Sequence, residues 1–248
     1  TYVDSYNVTV TDDDAPYIVG GSCPTDFNAG APDNGVCTAE GSWTNPSLDD
    51  NCSIASAVIT FVAGTATTVP ASINISSNGG GVTTADFSPG TTTATLTVTD
   101  DATIANTFTC SWVITVNSDD QEPVVTGVPS ADVDLDALSD CTAVFTSTPA
   151  ITATDNCTAT TALTWTLSAD NSATVGTVSG TDIADLDAAL DDITFGLGTT
   201  TVSLVVFDAE NLFDTESFDV VVTDNADPVI TGTPGADVSL GTNADGGD

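Results

Sequence analysis

Three short acidic segments of the chain have residue types and spacing suited to binding a metal ion. Each follows an apolar stretch and ends at a proline, at Pro16, Pro123 and Pro228. Ca²⁺ takes about six to eight oxygen ligands, chiefly from carboxylates, amides and carbonyls. Two further acidic loops follow predicted strands and lie within reach of these segments. The candidate ligands are Asp12, Asp13, Asp14, Asp100, Asp101, Asp119, Asp120, Glu122, Asp208, Glu210, Asp224, Asn225 and Asp227. The alternative is a set of solvated turns, in which Asp is used for its turn preference.

The charge balance favours the metal hypothesis. The chain has 36 acidic residues and no Lys, Arg or His, which gives a formal net charge of −36. No side-chain cation can therefore offset the acidic clusters. The same absence removes the imidazole bases, Schiff-base lysines and arginine clamps of most enzymes. A carboxylate pair acting alone on a glycoside is the remaining option, but no cleft is indicated, so we expect no enzyme. Nucleic acids and anionic membranes are also excluded as partners, because both need basic surface.

The elements that must position these acids are strands. Apolar residues alternate with threonine along several segments, for example at Leu96 and Val98 and again at Leu204 and Val206. This period of two is typical of half-buried antiparallel strands. One segment, 182–192, has apolar residues three and four positions apart, which predicts a short surface helix. About seven strands per repeat predict an all-β chain of tandem immunoglobulin-like antiparallel β-sandwiches arranged in a rod.

The acidic segments also mark an internal repeat. Pro16, Pro123 and Pro228 are 107 and 105 residues apart, and each is followed by an apolar pair and a glycine. One compact domain fits each period. We therefore expect a closing strand of a preceding repeat in 1–15, whole repeats in 16–122 and 123–227, and the opening strand of a following repeat in 228–248. The chain is then a window from a longer array, or a subunit whose terminal strands pair with neighbours by strand addition.

Cysteine spacing points to disulfides in an oxidising compartment. There are six cysteines, with no CxxC motif and no histidine, so a zinc site is not expected. The first repeat has Cys23-Pro24, Cys37, Asp50-Asn51-Cys52, Phe87-x-x-Gly90-Thr-Thr and Thr109-Cys110-Ser-Trp-Val. This pattern resembles the hyalin repeat, and the second repeat lacks two of its cysteines together. The resemblance implies the bonds Cys23–Cys110, Cys37–Cys52 and Cys141–Cys157, and an extracellular fold used in adhesion.

Two other acidic groups allow more than one interpretation. Asp132, Asp134 and Asp136 have the spacing of the start of an EF-hand loop, but the glycine and glutamate that such a loop needs are absent. A strand with its acids facing solvent is the favoured interpretation. The residues before Cys52 and Cys157 form either turns or a weak cation site.

Together these features predict a structural or adhesive segment of a secreted or cell-surface fibre, stiffened by Ca²⁺ at its acidic joints and by disulfides. Its partners would be neighbouring repeats, with surface glycans or proteins as further candidates. The alternatives are a filament subunit that self-assembles by strand addition and a calcium-dependent glycan- or protein-binding module. The latter would need exposed aromatic residues, and Trp43, within a loop rich in Gly, Pro and Asn, is the one tryptophan expected to be free.

Overall fold

The structure is a computed structural model that describes residues 1–147, 149–170 and 176–229. Strands dominate it, and the expected all-β class with immunoglobulin-like sandwiches is confirmed. The strands of the first sandwich are β1 (Tyr17–Ile18), β2 (Phe27–Gly30), β3 (Ala39–Thr44), β4 (Leu48–Asp49), β5 (Ile54–Ala63), β6 (Ile73–Asn74), β7 (Val82–Phe87), β8 (Gly90–Asp100) and β9 (Thr107–Val116).

The first sandwich packs a five-stranded sheet against shorter strand pairs. The order in the large sheet is β2-β9-β8-β5-β6, with β2 parallel to β9 and the other neighbours antiparallel. The facing layer contains the pairs β3-β7 and β1-β4. Leu96 and Trp112 from the large sheet share one core with Trp43 and Phe87 from the facing layer. Alternation in β8 and β9 therefore places one side-chain face inside and the threonine face outside.

The second sandwich repeats this arrangement. Its strands are β10 (Val124–Thr126), β11 (Val133–Asp136), β12 (Thr142–Ala143), β13 (Thr152–Thr154), β14 (Thr164–Ala169), β15 (Thr177–Thr181), β16 (Phe195–Gly196), β17 (Gly198–Phe207) and β18 (Phe213–Thr223). The large sheet has the order β11-β18-β17-β14-β15, again with one parallel pair, β11 and β18. The pairs β10-β13 and β12-β16 cover it. Gly127, which follows β10, has a φ of 82°, and a Cβ there would collide with the Ala150 carbonyl.

Several expectations about single elements can be checked directly. The helix expected in 182–192 is present as a 3-10 turn, Ile183–Asp185, followed by α1, Leu186–Asp191. Its apolar side chains, which include Leu186 and Leu190, are buried in the second core. In β11 the side chains of Asp134 and Asp136 are exposed, as the strand interpretation requires.

Trp43 corrects the expectation of a free aromatic residue. It lies in β3, is only 5% exposed, and has its ring centroid 5.7 Å from that of Trp112. The neighbouring Gly41 leaves room for Phe87, whose ring centroid lies 6.3 Å from that of Trp43, since a Cβ there would approach the Phe87 ring to 2.7 Å. Trp43 is therefore a core residue of the first sandwich.

The N-terminal segment differs from the corresponding part of the internal repeats. Residues 1–16 belong to no strand, and residues 1–11 are exposed, so the closing strand expected near Tyr6–Val10 is not formed here. Of the opening strand expected in 228–248, residues 230–248 lie outside the described residues. Within the described part of the chain, no helix is long and apolar enough to cross a membrane.

Candidate cation site at the joint between the sandwiches

The joint is defined here as residues 117–123, which connect β9 to β10, together with the loops that they contact. Asp119 lies at its centre and is only 6% exposed. Its Oδ1 accepts hydrogen bonds from the backbone N–H of Gln121 (3.2 Å) and from Nδ2 of Asn156 (3.1 Å). Its Oδ2 is buried and has no hydrogen-bond partner. A buried carboxylate oxygen without a donor is costly unless a cation neutralises it.

Two more carboxylates meet Asp119 from the loop that follows β17. Asp208 is 4% exposed, and its Oδ1 accepts the Leu212 N–H at 2.7 Å, while its Oδ2 is buried without a partner. Glu210 is exposed, and one carboxylate oxygen from each of Asp119, Asp208 and Glu210 lies within 4.8 Å of the other two. Two oxygens that each lie about 2.4 Å from one ion are at most about 4.8 Å apart. The three carboxylates are therefore close enough together to supply three oxygen ligands to one Ca²⁺ ion.

The loop before β14 adds two further oxygens without partners. Asp155 uses Oδ1 to accept the backbone N–H of Cys157 at 2.9 Å, so the expected turn is formed. Its Oδ2 and the Oδ1 of Asn156 are both buried and unpartnered. The turn and the cation hypothesis are thus compatible, because different atoms of Asp155 serve each role.

The carboxylates of the joint repel one another. The pKa of Asp208 is raised by burial and by the charges of Asp155 and Asp119, which outweigh the hydrogen bond from Leu212. Burial also raises the pKa of Glu210, and the charges of Asp208, Asp119 and Asp155 raise it further. A bound divalent cation would reverse this balance, since it favours the ionised form of each ligand.

Both sandwiches contribute to the joint. Nε2 of Gln121 donates to the carbonyl of Pro32 at 2.8 Å, and Nδ2 of Asn156 lies 3.5 Å from the carbonyl of Val36. A cleft lined by Asn34 and Gly35 on one side and by residues of the second sandwich on the other opens beside these contacts. The first sandwich therefore contacts both the connecting segment and the Asp155-Asn156 loop of the second sandwich.

The equivalent end of the first sandwich has a different arrangement. Asp100 is 2% exposed, and both of its oxygens are bonded by Asn106, from the backbone N–H (2.9 Å) and from Nδ2 (2.8 Å). Burial opposes ionisation of Asp100, but these bonds and one from the Ala102 N–H give a net lowering of its pKa. Ala102 stands where the second sandwich has Glu210. At this end the Asn106 amide therefore donates to the second carboxylate oxygen of Asp100, whereas the equivalent oxygen of Asp208 has no partner.

The remaining predicted ligands are not brought into a group of three acids within the described residues. Asp12 is half-buried with Oδ2 unpartnered, whereas Asp14 accepts a hydrogen bond from Asn51. Asn225 donates to Asp136 at 2.7 Å on the surface of the second sandwich. The others are exposed: Asp13, Asp101, Asp120, Glu122, Asp224 and Asp227.

One of the three disulfides expected from the sequence resemblance is confirmed. Cys23 and Cys110 are bonded, with their Cα atoms 6.1 Å apart. The bond joins the segment before β2 to β9, within the first sandwich.

The other two expected bonds, Cys37–Cys52 and Cys141–Cys157, are wrong. Cys37 is bonded to Cys157 instead, with a Cα separation of 4.5 Å, and Cys52 and Cys141 are free and exposed. This bond crosses the joint, because Cys37 belongs to the first sandwich and Cys157 to the second. It lies next to the candidate site, since Asn156 and Asp155 immediately precede Cys157.

Strand length explains the correction. Cys37 lies beside the joint, at the end of the first sandwich where Gly90 pairs with Val116, whereas Cys52 lies at the other end, near Asp100. β8 runs between these ends and spans about 33 Å. A disulfide needs Cα atoms within about 7 Å. The Cys37–Cys52 bond that the resemblance implies within one repeat is therefore impossible in this fold.

No protein-family model matches the chain, and no curated protein matches it, so the hyalin-repeat resemblance stays a prediction. Solved structures with some likeness are extracellular modules. A protocadherin gamma B7 EC3-6 fragment has a TM-score of 0.32 and 14% identity over 86% of this chain and 51% of its own. A protocadherin gamma B2 fragment has 0.34 and 15% over 86% and 52%, so the chain spans about half of each. The Ig1-2 module of the Drosophila receptor phosphatase DLAR has 0.26 and 12% over 85% and 100%. Conclusions about function therefore rest on the chain's own residues.

Proposed function

We propose that this chain is a structural or adhesive segment of an extracellular repeat protein, in which Ca²⁺ and a disulfide together fix the angle between consecutive sandwiches. The observation that supports this proposal is the joint itself. Asp119, Asp208 and Glu210 meet there, one oxygen each of Asp119 and Asp208 is buried without a partner, and Cys37–Cys157 crosses the same junction. Disulfides of this kind persist outside the reducing cytosol, which supports an extracellular location.

Calcium suits the site better than magnesium. The available donors are carboxylate and amide oxygens from three separate loops, and Ca²⁺ accepts such flexible, oxygen-rich shells. Mg²⁺ demands a small octahedron and retains several waters. Asp119, Asp208 and Glu210 would hold the ion, and Asp155 and Asn156 have free oxygens nearby. The ion would neutralise carboxylates that otherwise repel across the joint.

The mechanical consequence is stiffness. β9 of the first sandwich continues through the joint into β10 of the second, so tension passes along the strands. Asp119 belongs to the connecting segment, whereas Asp208 and Glu210 belong to the second sandwich. An ion bound to all three would fasten the connecting segment to that sandwich and prevent bending at the linker. A glycan-binding role has less support, because Trp43 is buried.

Small-angle scattering tests this function. The wild type and a Cys37→Ser/Cys157→Ser variant would be measured in about 2 mM Ca²⁺ and in EDTA. The disulfide restrains the joint in the wild type, so we expect the larger effect in the variant. Its profile should be that of an extended rigid particle in Ca²⁺ and of two independently oriented units in EDTA. Identical profiles of the variant in the two buffers would contradict the proposal.

A further inference from the structure

Two cysteines are left without a partner, and they lie at opposite ends of the two-sandwich unit. Cys52 lies near Asp100, at the end of the first sandwich remote from the joint. Cys141 precedes β12, which pairs with β16 near the start of β17, at the end of the second sandwich remote from the joint. Both side chains are exposed. Strand length separates Cys52 from Cys37 and Cys141 from Cys157, and the other two cysteines of the first sandwich are bonded to each other.

The repeat indicates what these cysteines bind. Cys52 ends the motif Asp-Asn-Cys in the first repeat, as Cys157 does in the second, and Cys141 occupies the position of Cys37. Between the two sandwiches these positions are already joined, as Cys37–Cys157. The first cysteine of one repeat thus bonds to the Asp-Asn-Cys of the next. Cys52 and Cys141 are the unpaired members of the same link.

The surface around Cys52 already has the hydrogen bonding of a joint. Asn51 Nδ2 donates to Asp14 Oδ2 at 3.0 Å, just as Asn156 Nδ2 donates to Asp119 Oδ1 at 3.1 Å. In each case the amide before the cysteine holds the acidic segment that precedes the sandwich. At both cysteines an asparagine amide therefore contacts the acidic segment, although Asp14 lies two residues before its proline and Asp119 four residues before its own.

Unpartnered oxygens recur at this end as well. Asp12 Oδ2 and Asp50 Oδ1 are buried without hydrogen bonds, and at the joint Asp119 Oδ2 and Asp155 Oδ2 are in the same condition. Asp50 and Asp155 occupy equivalent positions in the Asp-Asn-Cys motif. The Cys52 end thus has polar atoms that its own sandwich does not satisfy, in addition to a free thiol.

We propose that Cys52 and Cys141 form a head-to-tail disulfide between adjacent two-sandwich units, so that the link Cys37–Cys157 is repeated along an assembly. The adjacent unit in this proposal and in its test is a second copy of this chain, which has the complementary exposed cysteine at its opposite end. The two thiols lose two protons and two electrons and form one S–S bond, and a disulfide oxidant of the glutathione type is reduced to two thiols. The proposal rests on the repeat role above but does not require the cation.

The decisive experiment mixes two single variants of the full chain. Cys52→Ser retains only the Cys141 thiol, and Cys141→Ser retains only the Cys52 thiol. One variant has a small mass tag. The mixture is oxidised with oxidised glutathione in EDTA at about pH 8.5, because a free thiol titrates near that value. Non-reducing mass spectrometry then counts the dimers.

Random pairing of two thiols would give about half heterodimer among all dimers. We expect the heterodimer to exceed nine-tenths of the dimers, which raises the ratio of heterodimer to homodimers roughly tenfold over random pairing. The wild type should form a series of longer oligomers that reductant removes. Peptides from an Asp-directed protease should contain the Cys52–Cys141 bond, since the chain has no trypsin sites. Statistical dimers, exclusive monomers or rearrangement to Cys37–Cys52 would each overturn the proposal. Because EDTA is present, failure here is distinct from failure of the calcium joint.

Discussion

Replacing Asp208 with asparagine should abolish the calcium response of the protein while leaving its metal-free form at least as stable. The new side chain can still accept the Leu212 N–H through its oxygen, which preserves the 2.7 Å bond. Its NH₂ group would face Asp119 and Glu210, where Asp208 now presents an unpartnered oxygen. Asn106 contacts Asp100 in this way at the other end of the first sandwich. The substitution therefore exchanges a repulsive contact for a hydrogen-bonded one.

The expected magnitudes follow from distance and from mass action. Two unit charges 4.8 Å apart repel by about 0.9 kcal/mol at the dielectric constant of bulk water, and by more in a partly buried joint. A site with a dissociation constant of about 10⁻⁴–10⁻³ M stabilises the folded state by roughly 0.6–1.8 kcal/mol at about 2 mM Ca²⁺. For a sandwich of this size that corresponds to an increase in Tm of about 3–8 °C.

Thermal unfolding in Ca²⁺ and in EDTA measures both effects. The wild type should show the calcium-dependent increase, and Asp208→Asn should show none. Asp134→Asn is the matched control, because it makes the same chemical change at an exposed position of β11 and should keep the full increase. If Asp208→Asn kept the wild-type response, or if neither protein responded to Ca²⁺, the assignment of the site would be refuted.

Two further predictions concern the same parts of the molecule. Replacing both Cys23 and Cys110 with Ala should lower the free energy of unfolding by about 4–5 kcal/mol, because the bond closes a loop of 87 residues. Denaturant titration measures this loss, and a value below about 1 kcal/mol would contradict the prediction. Protons compete with Ca²⁺ for Asp208 and Glu210, and they do so at a higher pH than for a solvent-exposed Asp or Glu, since the folded-state pKa values of both residues are raised. These raised values make the metal-free protein less stable as pH rises above the ordinary values. The difference in Tm between Ca²⁺ and EDTA should therefore shrink as pH falls from about 7 to about 5, and a constant difference would contradict this.

Strand alternation is the part of the fold that the sequence predicts best. Leu96 and Val98 alternate with threonine, and both are buried. Trp43 is harder to place, because Gly and Pro nearby are typical of a loop. In β3 the inward positions are Ala39, Gly41 and Trp43, so small residues obscure a period of two. The period of two is present in β3, but it is recognisable only when Gly41 is counted as an inward-facing residue that packs against Phe87.

Disulfide pairing is less predictable for a physical reason. The hyalin-repeat resemblance implies pairs within one repeat, and Cys37 is much closer in the chain to Cys52 than to Cys157. Pairing depends instead on which end of a sandwich each cysteine occupies, and β8 separates those ends by about 33 Å. The sequence indicates the Cys37–Cys157 pairing only if the first cysteine of one repeat is matched with the Asp-Asn-Cys motif of the next repeat.

The number of acidic residues does not distinguish among the acidic clusters either, because burial decides whether the carboxylates of a cluster need a partner other than water. Exposed acids such as Asp13 and Asp120 are solvated, and mobile ions screen them. Asp100 is buried, but Asn106 supplies the donors. Asp119 and Asp208 are buried with oxygens that no donor reaches, beside the third charge of Glu210. In a chain with no basic side chains, an amide relieves such a buried oxygen at Asp100, and a metal ion is the counterpart that we propose for Asp119 and Asp208.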